Sequence, residues 1–331
     1  MAETRIEDDV QKEAESHVDR DDNFIRTPSG SPAVKNLFSR KKVIVIISIS
    51  IMIAVTALAL GLGLGLGLAD ARPNRNSASS SNSKADFDLG LTPGTTWDYP
   101  LGFSLTTKNV DKDTQFYVVD LENTSKNDIA DLINAGHTIV CYFSAGSVES
   151  YRDDAGDFPD EAIGKTLDGW DEEQWLDVRN EGVRDVMTQR IRTAVDKGCQ
   201  GVDPDNVDGY QNESGFDMTE DDAVDYVRFL AEEAHSQGLA FGLKNAGDIV
   251  EQVVDVAEWA INEECVEWDE CDSWAPFIDA GKPVFHVEYT EDDDATSVSP
   301  SQLKEACAAG GNSDFSTIVK HLPLDDWVVK C

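Results

Sequence analysis

Basic residues are scarce in this sequence. Across 331 residues, 27 Lys and Arg stand against 64 Asp and Glu, a formal charge of −37 at pH 7. A nucleic-acid binder needs a basic face to neutralise phosphates, so that class is excluded at the outset. Histidine is also rare: His17, His137, His235, His286 and His321 are the only five, none paired at ligand spacing. With no CxxC or HxxxH motif beside them, a zinc hydrolase is not expected, and nothing calls for another metal or a cofactor. No GxSxG elbow occurs, and Ser-Ala-Gly-Ser at 144–147 lacks the spacing for one, which removes the serine-hydrolase scheme. Cysteine is missing from the first 140 residues; the six lie at 141, 199, 265, 271, 307 and 331. An even number confined to one part of the chain favours disulfides and an oxidising compartment.

Charge is missing altogether from residues 43–68, a run of 26. At about 1.5 Å per residue this covers the roughly 30 Å hydrocarbon core with some tilt. Forty-two hydrophilic residues precede it, and no small-x-small cleavage site follows, so a signal anchor is expected rather than a cleaved signal peptide. Arg40, Lys41 and Lys42 abut its N-terminal end, which by the positive-inside rule leaves 1–42 as a disordered cytosolic tail. The expected product is a single-pass type II membrane protein with its C-terminal part outside the cell. Residues 69–96, Ser- and Asn-rich over 71–85, read as a flexible stalk. The part beyond the membrane holds 55 acids and 19 bases, so the acidity belongs to the external domain.

Over 97–331, short β-rich runs alternate with helical stretches. Strands are expected at 115–120, 138–143, 200–204, 239–243, 258–262, 283–288 and 316–320, with an eighth near 97–103. Helical spacing falls at 126–135, around 173–197, and at 219–237, 247–256, 272–280 and 300–309. Buried β-branched runs separated by helices predict a parallel sheet covered by helices. Eight strands in about 235 residues predict an α/β fold of the (β/α)8 TIM barrel type. A doubly wound sheet is the alternative, but no Gly-rich phosphate loop follows the first strand.

Barrel chemistry collects at the C-terminal ends of the strands. In this chain those ends carry Asp120, then Tyr142 and Ser144, then Asp203, Asp205 and Asp208. Lys244 and Asn245 follow, then Asn262, Glu263 and Glu264, and finally Glu288 and Tyr289. Acids, amides and tyrosines converging from different strands suit glycoside cleavage. One carboxylic acid protonates the leaving oxygen while a carboxylate attacks the anomeric carbon or activates water. Trp97 and Trp170 offer faces for stacking on sugar rings. Lys244, among so many acids, is expected to orient a carboxylate or lower its pKa. Among possible disulfides, Cys265 and Cys271 can close a small loop and Cys307 can pair with Cys331. That arrangement leaves Cys141 with Cys199, one of several that the sequence allows.

The segments Cys-Tyr-Phe-Ser-Ala-Gly-Ser (141–147) with Glu149 and Arg152-Asp153, and Gly169-Trp170 before Trp175-Leu176-Asp177, resemble glycoside hydrolase family 114. So do Gly-Val-Asp-Pro-Asp-Asn-Val-Asp-Gly-Tyr (201–210), Gly242-Leu243-Lys244-Asn245, Asn262-Glu263-Glu264-Cys265 and Val287-Glu288-Tyr289. The match is collinear from about Trp97 to Tyr289. The resemblance implies a (β/α)8-barrel endo-α-1,4-polygalactosaminidase acting on the cationic fungal exopolysaccharide galactosaminogalactan, and some fungal members are membrane-anchored. It also implies that Asp205 and Glu263 are the catalytic pair, Asp205 as nucleophile or base and Glu263 as general acid. Asp120, Tyr142, Asp203, Asp208, Lys244, Asn245, Glu288 and Tyr289 would then line the sugar subsites. Asp203 stands where many family members carry Glu. A strongly acidic domain would attract a polymer carrying ammonium groups.

Two other readings use the same residues. One is a catalytically inactive cell-surface barrel that binds polysaccharide; the other is a hydrolase of a different polymer, such as deacetylated glucosamine chains. Retention or inversion depends on the carboxyl separation. Two N-x-S/T sequons, at Asn123 and Asn212, mark possible glycosylation. No motif indicates the oligomeric state.

Overall fold

Strands form where β-branched and aromatic residues run together. A computed structural model describes residues 87–290, 295–309 and 314–331. The expected tail at 1–42 and membrane span at 43–68 lie outside the described residues. Among the described residues no helix is long and apolar enough to cross a membrane. In chain order the strands are β1 (Trp97–Asp98), β2 (Phe116–Asp120), β3 (Thr138–Ser144), β4 (Ser147–Glu149), β5 (Ile163–Leu167), β6 (Trp170–Leu176), β7 (Gly201–Asp205), β8 (Ala240–Lys244), β9 (Trp259–Glu263), β10 (Val284–Tyr289), β11 (Ser316–Lys320) and β12 (Val328–Lys330). The helices are α1 (Lys126–Asn134), α2 (Glu181–Lys197), α3 (Glu220–Ser236), α4 (Val250–Val253), α5 (Cys265–Trp268), α6 (Ala275–Asp279) and α7 (Pro300–Ala306).

One sheet runs β1-β2-β3-β7-β8-β9-β10-β11-β12, parallel from β1 to β11, with β12 antiparallel on β11. Successive strands of this sheet are always neighbours. A doubly wound sheet would instead reverse its order at a switch point. The eight parallel strands make a nearly closed barrel, as the sequence predicts. No ladder joins β11 to β1. Across that seam Trp97 Nε1 donates to Ser316 O at 2.7 Å, and the buried Lys320 Nζ donates to Asp98 Oδ1 at 2.9 Å.

Alternation along the strands sorts the core into two parts. Trp97, Phe116, Val118, Val140, Trp259, Ile261, Phe285, Val287 and Ile318 point inward and fill the bore. The residues between them, among them Tyr117, Val119, Ile139, Val202, Phe241, Leu243 and Ala260, face outward and pack under the helices. Helix α3 starts where Thr219 and Asp222 form a reciprocal capping box, and Gly238 turns the chain after it with φ 84°. Disulfides join Cys141 to Cys199, Cys265 to Cys271 and Cys307 to Cys331.

Two expectations are corrected. The stretch around 173–197 is not one helix: α2 begins only at Glu181, and Glu173–Leu176 end strand β6. There β4, β6 and β5 form a small antiparallel sheet between β3 and α2. Its β5–β6 hairpin turns at Asp168-Gly169, with Gly169 at φ 86° and Leu167 opposite Trp170. This two-residue Asp-Gly turn is a strong hairpin signal, which here outweighs the helical spacing. Of the expected stalk, residues 87–96 are described, and they pack against the barrel. Phe87 stacks on His235 at 4.4 Å, and Leu89 and Leu91 sit against the inner cluster.

Glycines make room for the floor of the bore. A Cβ at Gly242 would lie 2.1 Å from Trp259 Nε1, and one at Gly201 would lie 2.8 Å from the same indole. Gly242 sits two residues before Lys244 on β8. Gly242→Ala should therefore displace Trp259 and cost about 1–3 kcal/mol by overpacking. Urea unfolding of the variant checks this; unchanged stability would mean that the indole moves freely.

Candidate active site

Strand parity and a sharp turn place each polar side chain at the top of the bore. On β7, Asp203 and Asp205 share the inward face; on β8 and β9, Lys244 and Glu263 follow inward Gly242 and Ile261. Immediately beyond these strand ends the backbone turns left-handed at non-glycine residues: Asn206 at φ 62°, Asn245 at 50°, Ala246 at 59° and Glu264 at 59°. Such conformations cost about 1–2 kcal/mol for ordinary L-residues and cluster at functional sites. A cavity of about 330 Å³ opens here, lined by Tyr99, Asp120, Tyr142, Asp205, Lys244, Glu263 and Tyr289 from the barrel. Glu149, Tyr151, Arg152, Trp170 and Glu173 line it from the β4–β6 excursion. A hollow of about 470 Å³ lies at the other end of the barrel, where residues 87–91 cross the strand starts. That face of a (β/α)8 barrel serves stability rather than chemistry.

Lys244 is the centre of the upper site. Only 1% exposed, its Nζ lies 3.0 Å from Asp205 Oδ2, 3.0 Å from Glu263 Oε2 and 3.0 Å from Tyr99 Oη. Tyr99 and Asp205 accept hydrogen bonds from the ammonium, and Glu263 stands at ion-pair distance from it. The phenol of Tyr142 donates to Asp205 Oδ2 at 3.0 Å, and the backbone N–H of Asn206 donates to Oδ1 at 2.8 Å. On the other carboxylate, Tyr289 Oη donates to Glu263 Oε1 and Asn245 Nδ2 donates to Oε2 at 2.9 Å. Glu263 returns a backbone N–H to Asn245 Oδ1 at 3.0 Å.

These contacts set the protonation states. Burial opposes the ammonium of Lys244, but the charges of Asp205 and Glu263 more than offset it and raise its pKa well above normal. Burial also raises Glu263, yet the Lys244 charge and the hydrogen bonds from Tyr289 and Asn245 bring its carboxyl below the usual range. The phenols of Tyr99, Tyr142 and Tyr289 are pushed well up, first by burial and then by the nearby carboxylates, and stay protonated. Asp203 lies a layer deeper. Both its carboxyl oxygens are buried and accept no hydrogen bond among the described residues. Burial, followed by the charges of Asp205 and Glu263 and resisted by Lys244, pushes it up to about 7.

Of the residues expected at the site, the cavity brings together Asp120, Tyr142, Asp205, Lys244, Glu263 and Tyr289. The Oδ1 and Oδ2 of Asp120 take Arg152 Nη1 at 3.1 Å and Nη2 at 2.7 Å, and its Oδ1 also accepts from the backbone N–H groups of Glu122 and Asn123. It holds Arg152 in the wall of the cavity. Asn245 stands behind Glu263 and orients it. Asp208 lies outside the cavity, where burial and the Asp205 charge raise it to about 6 and Asn212 Nδ2 donates to it at 3.1 Å. Glu288 faces away from the bore, one residue out of phase with Tyr289. Its Oε1 accepts from Val266 N at 2.9 Å and contacts buried His286 Nε2 at 2.7 Å. Trp97 is sealed in the bore, whereas Trp170 is 52% exposed on the cavity rim. Of the two sequons, Asn123 is exposed beside the cavity, and the Asn212 amide is engaged by Asp208.

Tyr99, Glu149, Tyr151, Arg152, Glu173 and Asn206 are site residues given no role from the sequence. Tyr99 repeats the inward parity of Trp97, a signal available in the sequence. The others depend on the β4–β6 excursion. There Glu149 accepts from Arg152 Nε at 2.7 Å and from Tyr151 Oη at 2.5 Å.

Asp203 predicts a pH-dependent stability. Its folded pKa of about 7 exceeds the ordinary value of 3.8, so between pH 4 and 7 the folded state binds more protons than the unfolded one. Its contribution therefore falls as pH rises through that window. Asp203→Asn should gain stability relative to the parent between pH 4 and pH 8, measured by urea unfolding at both. A difference independent of pH would contradict the buried titration.

The model of Glycoside-hydrolase family GH114 matches residues 76–331. Among solved structures, Aspergillus fumigatus Ega3 in complex with galactosamine is 44% identical, covers 72% of this chain and 96% of its own, and superposes with a TM-score of 0.70. The glycoside hydrolase domain of PelA from Pseudomonas aeruginosa is 15% identical over 71% of this chain and 98% of its own, with a TM-score of 0.53, a likeness of fold. No curated protein sequence matches the chain. With a family model spanning the whole barrel and a solved relative at 44% identity, the chain belongs to glycoside hydrolase family 114.

Proposed function

We propose that this glycoside hydrolase cuts α-1,4-linked galactosamine within a cationic galactosaminogalactan-type polysaccharide, using Asp205 and Glu263. The observation that carries the reading is the pair of carboxylates bridged by one ammonium at the mouth of the barrel. The Ega3 complex with galactosamine supports the sugar class, and a net charge of −37 supports a cationic polymer. Exposed Trp170 and Tyr151 on the rim supply stacking faces for successive sugars.

Two contacts of 3.0 Å to one nitrogen hold Asp205 Oδ2 and Glu263 Oε2 within about 6 Å of each other. That upper bound lies below the roughly 6.5–9.5 Å of inverting glycosidases and admits the 5–5.5 Å of retaining ones, so we read the pair as retaining. In the first step a carboxylate oxygen of Asp205 bonds to the anomeric carbon, the bond to the leaving oxygen breaks, and Glu263 gives that oxygen its proton. In the second, Glu263 takes a proton from water, whose oxygen bonds to the anomeric carbon and releases Asp205. Lys244 steadies both carboxylates while charge moves between them. The apolar run at 43–68, the basic flank at 40–42 and the three disulfides support placing this activity at the cell surface in type II orientation.

The full chain, incubated with deacetylated α-1,4-galactosaminan and separately with chitosan, should release oligomers from the first only. Asp205→Asn and Glu263→Gln should each lower kcat by at least about a thousandfold. NMR of the earliest products should show the α anomer, as retention requires. Because Lys244, Tyr289 and Asn245 hold Glu263 ionised and the first step needs it protonated, kcat/KM should climb as pH falls below neutrality. Polymer bound but not shortened would instead favour the inactive surface barrel. Lys244→Ala should lower the kcat of the folded enzyme at least about a hundredfold; near-normal turnover would remove Lys244 from the mechanism.

A further inference from the structure

Two motifs of the sequence are left without a role, the sequons Asn123-Thr124-Ser125 and Asn212-Glu213-Ser214. A glycan replaces one hydrogen of the Asn amide with a bulky, hydrated group, so the folded chain must let that amide point into solvent. Asn212 does not meet this condition. Its Nδ2 donates to Asp208 O and to Asp208 Oδ2, both at 3.1 Å. Ser214 is buried, and its carbonyl oxygen accepts from Lys165 N of β5 at 2.9 Å. A glycan on Asn212 would turn the amide outward and strip a donor from a carboxyl that burial already pushes up to about 6. Asn123 is placed differently. The turn after β2 is made by the backbone N–H groups of Glu122 and Asn123, which donate to Asp120 Oδ1 at 3.0 and 2.7 Å. Ser125 Oγ accepts from Asp128 N at 3.1 Å and caps α1. From behind, Lys197 Nζ at the end of α2 donates to the carbonyl oxygens of Leu121, Glu122 and Thr124 at 2.6, 3.0 and 2.9 Å. None of these bonds uses the Asn123 amide.

The segment is thus clamped on its inner side, while Asn123 is exposed and borders the cavity that holds Asp205 and Glu263. We propose that Asn123 is the N-glycosylation site of this domain and that its glycan stands at the cleft mouth as a screen against long polymer. The donor is an oligosaccharide carried on an isoprenoid diphosphate. Asn123 Nδ2 bonds to the anomeric carbon of its first sugar, the bond from that carbon to the diphosphate oxygen breaks, the amide gives up one proton, and the isoprenoid diphosphate leaves. Because this transfer takes place in the secretory lumen, the assignment rests on the reading that puts the C-terminal part outside the cell. A branched oligosaccharide rooted on a clamped segment stays at the mouth. It hinders the approach of a long chain, which must pass beside it, more than that of a short oligomer.

The full chain, made in a eukaryotic secretory host, is first mapped by peptide mass spectrometry after enzymatic deglycosylation in heavy-oxygen water, which marks each Asn that carried a glycan. Asn123 should be marked and Asn212 bare. Ser104→Asn, which makes a sequon with Thr106 at an exposed position, serves as the control. A glycan at position 104 with Asn123 bare would overturn the site and leave the external placement standing; no glycan at either would remove both. A glycan on Asn212 would overturn the discrimination between the sequons. The screen is then read as the association rate of deacetylated α-1,4-galactosaminan, in the Glu263→Gln background so that the polymer survives. Trimming the glycan to its first sugar with an endoglycosidase, or replacing its anchor by Asn123→Gln, should each raise that rate about three- to tenfold. A short α-1,4-galactosamine oligomer should change by less than about twofold. Ser125→Thr, which keeps the sequon and the helix cap, should match the parent. An unaltered polymer rate, equal gains for polymer and oligomer, or a gain in Asn123→Gln that trimming does not reproduce would overturn the screen. Cleavage of the polymer by the parent is measured separately, so failure of the hydrolase reading leaves these outcomes intact.

Discussion

The ammonium of Lys244 is the contact on which the rest of the site depends. Two carboxylates within hydrogen-bonding reach of one nitrogen would repel each other and protonate if that nitrogen were neutral. A lysine buried to this depth keeps its charge because opposite charges and acceptors surround it: Asp205 and Tyr99 accept its protons, and Glu263 pairs with it at 3.0 Å. Removing one partner of a buried ion pair typically costs about 3–5 kcal/mol, because the other is left without compensation. Geometry and protonation are therefore fixed together. The same bonds that set the distance between the carboxylates also hold Glu263 ionised.

The scaffold delivers this arrangement through strand phase. Parallel strands in unbroken order bring Asp205, Lys244 and Glu263 to adjacent strand ends, each on the inward face. The left-handed residues that follow turn the chain away at once and leave the side chains standing at the rim. Below them, an aromatic floor of Trp97, Phe116, Trp259 and Phe285 fills the bore, and two glycines yield space to the largest of these rings. The β4–β6 excursion adds the second wall, where Arg152 bridges Glu149 to Asp120 at the end of β2.

Much of this was legible in the sequence. Seven of the eight barrel strands match their β-branched runs closely, because a buried parallel strand must be apolar on both faces. Asp205, Lys244, Glu263 and Tyr289 could be picked out because barrel chemistry gathers at strand ends. Phase was harder to read. Glu288 and Tyr289 are neighbours in the chain, but one faces His286 under the helices and the other faces Glu263 in the cleft. Depth was invisible, since Asp203 and Asp205 share a face and differ only in layer. The β4–β6 excursion was lost because its polar, exposed residues carry a helix-like spacing, and only Asp168-Gly169 marks the turn. With it went Glu173, whose partners Ser147 and Asn206 are distant in the sequence.

The aromatic floor also bears on the fate of the sugar that the proposed mechanism attaches to Asp205. Since the bore is plugged, water cannot rise to the anomeric carbon from beneath and must enter by the same mouth as the polymer. The severed fragment occupies that route until it leaves. Whichever hydroxyl arrives next, from water or from another saccharide, takes the sugar, so the balance between hydrolysis and chain transfer becomes a contest of residence times on the rim. Aromatic residues such as Trp170 and Tyr151, by delaying departure, would tilt that contest toward transglycosylation.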